Sequence, residues 1–74
     1  KALCMQVLSE IDNRLTMHDF RVVDGPTHAN LIFDVVAPPD FPLRDNELIE
    51  RVSEKLSKID ERYFCVITVD HAFN

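Results

Sequence analysis

Residues 17–36 have the sequence MHDFRVVDGPTHANLIFDVV, which predicts a β-hairpin. Apolar Phe20 and Val22 are separated by Arg21, and this period of two is typical of a strand. The turn, residues 24–27, contains the only glycine of the chain, followed by a proline. Glycine can adopt a positive φ and proline fixes its own φ, so both residues favour a reversal of the chain at this point.

The second strand of this hairpin has the clearest alternation in the chain. One face carries Ala29, Leu31, Phe33, Val35 and Ala37, and the other carries His28, Asn30, Ile32, Asp34 and Val36. The first set predicts the face that packs on a core. In the first strand, His18 shares its parity with Phe20 and Val22, so a regular strand would direct His18 toward the core as well.

Two amphipathic helices are predicted on either side of the hairpin. In residues 1–15 the apolar face comprises Cys4, Leu8, Ile11 and Leu15, and the helix should end near residues 12–14. Prolines at 38, 39 and 42 predict a rigid connector. A second helix is predicted at about residues 43–60, with an apolar stripe of Leu48, Val52, Leu56 and Ile59. Glu47–Arg51 and Glu54–Lys58 have the spacing of helical ion pairs.

A third strand is predicted from Tyr63 to Asp70. Residues 64–67 are all apolar, which predicts a strand that is buried on both faces or central in the sheet. The element order is therefore αββαβ. It predicts an α+β two-layer sandwich of truncated ferredoxin-like topology, with a three-stranded mixed sheet and two helices on one face.

Length and charge exclude several classes of protein. Seventy-four residues predict a single domain, residues 1–74, and no apolar run approaches the about 18–20 residues that span a bilayer. The net charge is −5 and the basic residues are scattered, so we expect no nucleic-acid partner. The chain has no nucleophile–base set, glycine-rich phosphate loop or HExxH motif, so we do not expect an enzyme.

The two cysteines, Cys4 and Cys65, lie far apart in sequence and form no CxxC motif. In a small domain such thiols are typical of buried, weakly polar residues in a reducing compartment. A disulfide or a thiolate metal site is the alternative.

The motifs HDFRVV, GPT, LIFDVVAP and VITVDH, in an αββαβ order, resemble the carboxy-terminal cytoplasmic domain of cation diffusion facilitator transporters. The resemblance covers about residues 7–71. It implies a domain on the cytoplasmic side of the cell membrane that follows a transmembrane bundle exporting zinc or related cations. Since the chain begins at Lys1, we expect it to be a domain excised from such a longer membrane protein. The family domain forms a homodimer and, in several members, binds metal near the interface.

The resemblance also implies metal ligands, residue by residue. His18 matches the family histidine that opens the first strand. Asp34 and Glu47 occupy positions where some members have histidines, and His71 occupies the position of an aspartate. Val69 stands where those members have another ligating histidine, so the ligand set departs from the family pattern here.

Through this ligand set the resemblance implies a divalent cation as cofactor, with zinc as the expected one. A His18, Asp34 and His71 set offers the nitrogen and oxygen donors that zinc accepts, although cobalt, nickel, manganese and iron accept them too. His28, close to the turn, is a further candidate, and Asp19 and Asp70 are weaker ones. Each of these residues could instead be a solvated surface side chain, and Glu47 has Arg51 as a helical partner.

Ile32 and Val36 predict an interface. If the helices cover the opposite face of the sheet, these two residues face water in a single copy, and apolar surface of this kind marks interaction sites. We expect a homodimer through this uncovered face or through the edges of the sheet, or a contact with the parent protein. The function expected is dimerisation and metal sensing for a cation exporter. The alternatives are a purely structural dimerisation module and a stand-alone ferredoxin-like metal-binding protein.

Overall fold

The computed structural model describes residues 1–72 and has the predicted αββαβ order. The elements are α1 (Ala2–Ile11), β1 (Thr16–Asp24), β2 (Ala29–Ala37), α2 (Asp45–Ile59) and β3 (Tyr63–His71). The strands form one sheet in the order β1-β2-β3, in which β2 is antiparallel to β1 and parallel to β3. The prediction of a two-layer α+β sandwich with a three-stranded mixed sheet is confirmed.

The core lies between the helices and one face of the sheet. Its β2 members are Leu31, Phe33, Val35 and Ala37, and its helical members are Cys4, Val7, Leu8, Leu48, Val52 and Leu56. Each β2 member is one of the alternating apolar residues that the sequence assigned to the buried face. Phe20 of β1 packs on Phe33 with ring centroids 6.0 Å apart.

The helix α2 begins at Asp45, three residues after Pro42. The backbone N–H of Arg44 donates to the Glu47 carboxylate at 3.2 Å, which satisfies a group at the helix start. Leu48, Val52 and Leu56 are buried at intervals of four, as predicted. Ile59, which the sequence placed on the same stripe, is 53% exposed because it is the last residue of the helix.

The strand β1 contains a bulge that the sequence did not indicate. His18 is opposite Asp34 and Arg21 is opposite Ile32, so Asp19 and Phe20 together face the single residue Phe33. Asp19 adopts φ 55°, a left-handed conformation that aspartate tolerates better than most residues. The extra residue reverses the alternation. His18 therefore lies on the face opposite Phe20, and the prediction that parity directs it toward the core is wrong.

The hairpin turn is closed by a hydrogen bond from the Gly25 N–H to the His28 carbonyl at 2.8 Å. Gly25 does not use positive φ, contrary to our expectation. A Cβ at this position would lie 3.1 Å from the His28 carbonyl oxygen, which is a tight approach. The glycine is thus suited to close packing of the backbone rather than to a left-handed conformation.

The strand β3 is an edge strand, so the prediction of a central or doubly buried strand is wrong. Phe64 and Val66 are 54% and 55% exposed, whereas Cys65 and Ile67 are half-buried on the helix side. The parallel pairing with β2 runs without interruption from Tyr63 to His71. The apolar run therefore covers both faces of an edge strand, and one of them has no cover in the part of the chain that the structure describes.

Candidate functional site

The helices leave one face of the sheet open, and we call it the uncovered face. The strand registers place twelve residues on it: Thr16, His18, Arg21, Val23, Asn30, Ile32, Asp34, Val36, Phe64, Val66, Thr68 and Asp70. None of these residues is buried. The face includes five of the residues singled out in the sequence, namely His18, Ile32, Asp34, Val36 and Asp70.

The centre of the uncovered face is apolar on its β2–β3 side, whereas Arg21 of β1 lies directly opposite Ile32 on the other side. Ile32 of β2 is directly opposite Val66 of β3, and Phe64 and Val23 lie at the end nearer the hairpin turn. The sequence indicated only Ile32 and Val36. Phe64 and Val66 were missed because the Phe64–Ile67 run was interpreted as buried on both faces. The alternation Phe64, Val66, Thr68 and Asp70 against Cys65, Ile67 and Val69 was the signal that could have identified them.

Beside this apolar centre, His18 and Asp34 are cross-strand neighbours. Residues directly opposite each other in an antiparallel pair have Cβ atoms about 4.5–5.5 Å apart, so both side chains can reach one ion. The His18 Nε2 atom lies 3.5 Å from the Thr16 hydroxyl. Asp34 is half-buried and accepts no side-chain hydrogen bond within residues 1–72. The bulge at Asp19 creates this pair, because without it His18 would face the helices.

His71 lies on the other side of the sheet. It is opposite Ala37 at the end of β3, and its Nε2 atom is 2.7 Å from Oδ1 of Asp45, in the first turn of α2. The hydrogen bond to the Asp45 carboxylate raises the pKa of His71 above its ordinary value. His71 therefore connects β3 to α2, and the body of the sheet separates it from His18.

His28 and Glu47 also lie away from the His18–Asp34 pair. The His28 ring stacks on Phe64 with centroids 4.4 Å apart, and its Nδ1 atom is 3.0 Å from the Thr27 hydroxyl. His28 is six residues from Asp34 along an extended chain, which corresponds to about 20 Å. Glu47 lies in α2, where its carboxylate accepts the Arg44 N–H.

Within a single copy the five predicted ligands thus do not converge. Among residues 1–72 no group of three or more His, Cys, Asp or Glu side chains is arranged to hold a metal ion. The structure brings together one His–Asp pair on each face: His18 with Asp34, and His71 with Asp45. Two protein ligands are fewer than the three or four that zinc takes in proteins.

Both cysteines are free thiols. Cys4 is buried in α1 and Cys65 is half-buried in β3, and burial raises the pKa of each thiol. Both cysteines lie on the helix side of the sheet, so neither adjoins the His18–Asp34 pair on the uncovered face.

Comparison with known proteins identified no relative: no protein family, no curated protein and no solved structure matches this chain. Within the described residues, neither helix has the length and apolar character required to cross a membrane.

Proposed function

We propose that this chain is a cytoplasmic dimerisation and metal-sensing domain of a divalent-cation efflux transporter of the cation diffusion facilitator type. The observation that carries the proposal is the uncovered face, where His18 and Asp34 adjoin an apolar centre around Ile32. The αββαβ order and the motifs at residues 18–23 and 25–27 support the family assignment. The domain would have no enzymatic activity of its own.

Two copies that meet through the uncovered face would bury Ile32 and Val36. The same contact would bring a second His18–Asp34 pair toward the first. Two imidazoles and two carboxylates complete the four ligands that zinc prefers, and manganese, cobalt, nickel or iron could use the same donors. The metal would therefore bind between copies, which agrees with the incomplete ligand set in each single copy.

Metal binding at such a position can act as a signal. A cation that requires ligands from both copies binds the closed dimer more tightly than an open one, and it shifts the population toward the closed state. The sensing domain would lie on the cytoplasmic side of the membrane, attached to the transmembrane domain. The shift toward the closed dimer would therefore change the position of the transmembrane domain. The parent transmembrane domain is thus the second expected partner, besides the identical copy.

Calorimetry with zinc, combined with sedimentation of the same samples, tests the proposal. We expect one zinc ion per two copies, a Kd below about 1 mM, and tighter dimerisation when zinc is present. The His18→Ala variant should abolish zinc binding. The His28→Ala variant should retain it, because His28 lies just before β2 and away from the His18–Asp34 pair. Equal zinc affinity in the wild type and in His18→Ala would contradict the ligand assignment.

The second candidate function is a structural dimerisation module without a metal site. The absence of a three-ligand group within residues 1–72 favours it. In that case the chain would dimerise with the same Kd in zinc and in chelator, and His18→Ala would leave dimerisation unchanged. A stand-alone ferredoxin-like metal-binding protein is the third reading. It has less support, because the chain has no CxxC motif in its first loop.

A further inference from the structure

The two edges of the sheet differ in how well they are protected from pairing with another strand. The β1 edge carries the bulge at Asp19 and the charged residues Arg21 and Asp24. The β3 edge has no bulge, and residues 63–69 include no charged residue, proline or glycine. Bulges and charges are the features by which proteins keep edge strands from pairing, and β3 lacks them over seven residues.

The backbone hydrogen bonds show which groups of β3 point away from β2. Ala29 N–H donates to the Arg62 carbonyl, and Ala72 N–H donates to the Ala37 carbonyl, each at 2.9 Å. Backbone groups of a strand alternate in direction, so the even-numbered residues of β3 pair with β2. The N–H and C=O groups of Cys65 and Ile67 therefore point to the open edge of the sheet.

Apolar side chains flank this edge on both faces. Phe64 and Val66, on the uncovered face, are more than half exposed. On the helix side Ile67 and Val69 are half-buried. A strand that pairs with β3 would thus gain apolar contacts on both of its faces in addition to backbone hydrogen bonds.

We propose that the β3 edge pairs antiparallel with the β3 edge of a second copy, symmetrically about Val66. This register places Cys65 opposite the second copy's Ile67, so the outward backbone groups of both residues can exchange hydrogen bonds. It also places Arg62, whose guanidinium binds the Asp60 carboxylate of its own chain at 2.8 Å, opposite the second copy's Asp70. The two-fold symmetry repeats this opposite-charge pair, and the complementarity identifies the occupant as a second copy of this chain.

This edge contact is separate from the dimer proposed through the uncovered face. It uses backbone groups in the plane of the sheet, whereas the other dimer uses side chains perpendicular to that plane. Either contact can fail without the other. The inference therefore does not depend on the proposed function.

Amide hydrogen exchange on the complete chain, measured by NMR at several protein concentrations, tests the edge contact. We expect the Cys65 and Ile67 amides to exchange more than about tenfold more slowly in concentrated than in dilute samples. The Val22 amide is the control, because the Gly25–His28 hydrogen bond and the strand alternation direct it to the open β1 edge. Exchange at Cys65 and Ile67 that does not depend on concentration, up to about 1 mM, would overturn the proposal.

A pair of variants separates the edge contact from the uncovered face. Cys65→Pro removes one outward N–H and leaves the pairing with β2 intact, whereas Cys65→Ala keeps that N–H. We expect Cys65→Pro to abolish the concentration-dependent protection of Ile67, and both Cys65→Ala and Ile32→Lys to retain it. If Ile32→Lys alone abolished it, the edge contact would be refuted. If Cys65→Pro does not fold, the wild-type exchange data together with Ile32→Lys still decide.

Discussion

The two faces of the sheet contain similar apolar residues in opposite situations. On the helix-covered face Phe33 and Val35 are 1% and 0% exposed, whereas Phe64 and Val66 on the uncovered face are 54% and 55% exposed. Two short helices cover only one side of a three-stranded sheet. The apolar surface on the other side thus has no cover among residues 1–72, and this asymmetry connects the fold to the proposed assembly.

The largest expected effect comes from removing a side chain from the covered face. Phe33→Ala should reduce the free energy of unfolding by about 3–5 kcal/mol, because it deletes the largest buried side chain of the core. In a domain of this size that loss can abolish folding at room temperature. Urea denaturation followed by circular dichroism measures it, at a concentration where the chain is monomeric. Ile32→Ala, one residue away on the uncovered face, should cost less than half as much, and equal costs would contradict the asymmetry.

On the uncovered face we expect a smaller effect, on self-association rather than on folding. Ile32→Lys should weaken the dimer by about 2 kcal/mol, roughly 30-fold in Kd, because it places a charge at the centre of an apolar contact. Analytical ultracentrifugation measures the change. Met5→Lys is the matched control, since Met5 is also an exposed apolar residue (51%) but lies on α1. Equal weakening by both substitutions would show that the uncovered face is not the interface.

The bulge at Asp19 determines on which face of the sheet His18 lies. Replacing Asp19 should have an intermediate effect on the stability of the chain. Asp19→Val should destabilise the chain by about 1–2 kcal/mol, because a β-branched residue is strained at φ 55°. Asp19→Gly should be neutral or stabilising, since glycine adopts this conformation without strain. Thermal unfolding of both variants measures the difference. If Asp19→Val left the thermal stability unchanged, the bulge would not be fixed and His18 could turn toward the helices.

The covered face could be predicted from the sequence because alternation and helical spacing agree there. Leu31, Phe33 and Val35 were identified by period two alone, and Leu48 and Val52 by a spacing of four. These patterns arise from burial, which is a local property of each side chain once the element type is known. The antiparallel hairpin of β1 and β2 and the parallel crossover from β2 to β3 then followed from the rules of connection.

The uncovered face was predicted only in part, for two physical reasons. A bulge shifts the parity of a strand by one residue, and the sequence around Asp19 contains no glycine to indicate it. An edge strand that is apolar on both sides has the same composition as a buried central strand, so β3 was misassigned. The sequence proposed His18, Asp34 and His71 as one ligand set; the bulge places His18 opposite Asp34, whereas His71 lies on the other face beside Asp45.

The smallest expected effect concerns His71. This histidine lies on the helix-covered side of the sheet, whereas His18 lies on the uncovered face. Its hydrogen bond to Asp45 raises its pKa above the ordinary 6.5. A raised pKa in the folded state means that protonated His71 stabilises the fold, fully below about pH 6.5. This stabilisation is lost as the pH rises through the folded-state pKa. NMR titration of the ring protons should show that Asp45→Asn lowers the pKa of His71, while Glu50→Gln, on the same helix, leaves it in place. If the two variants shift this pKa equally, the cause is the general negative charge of α2 rather than the 2.7 Å contact.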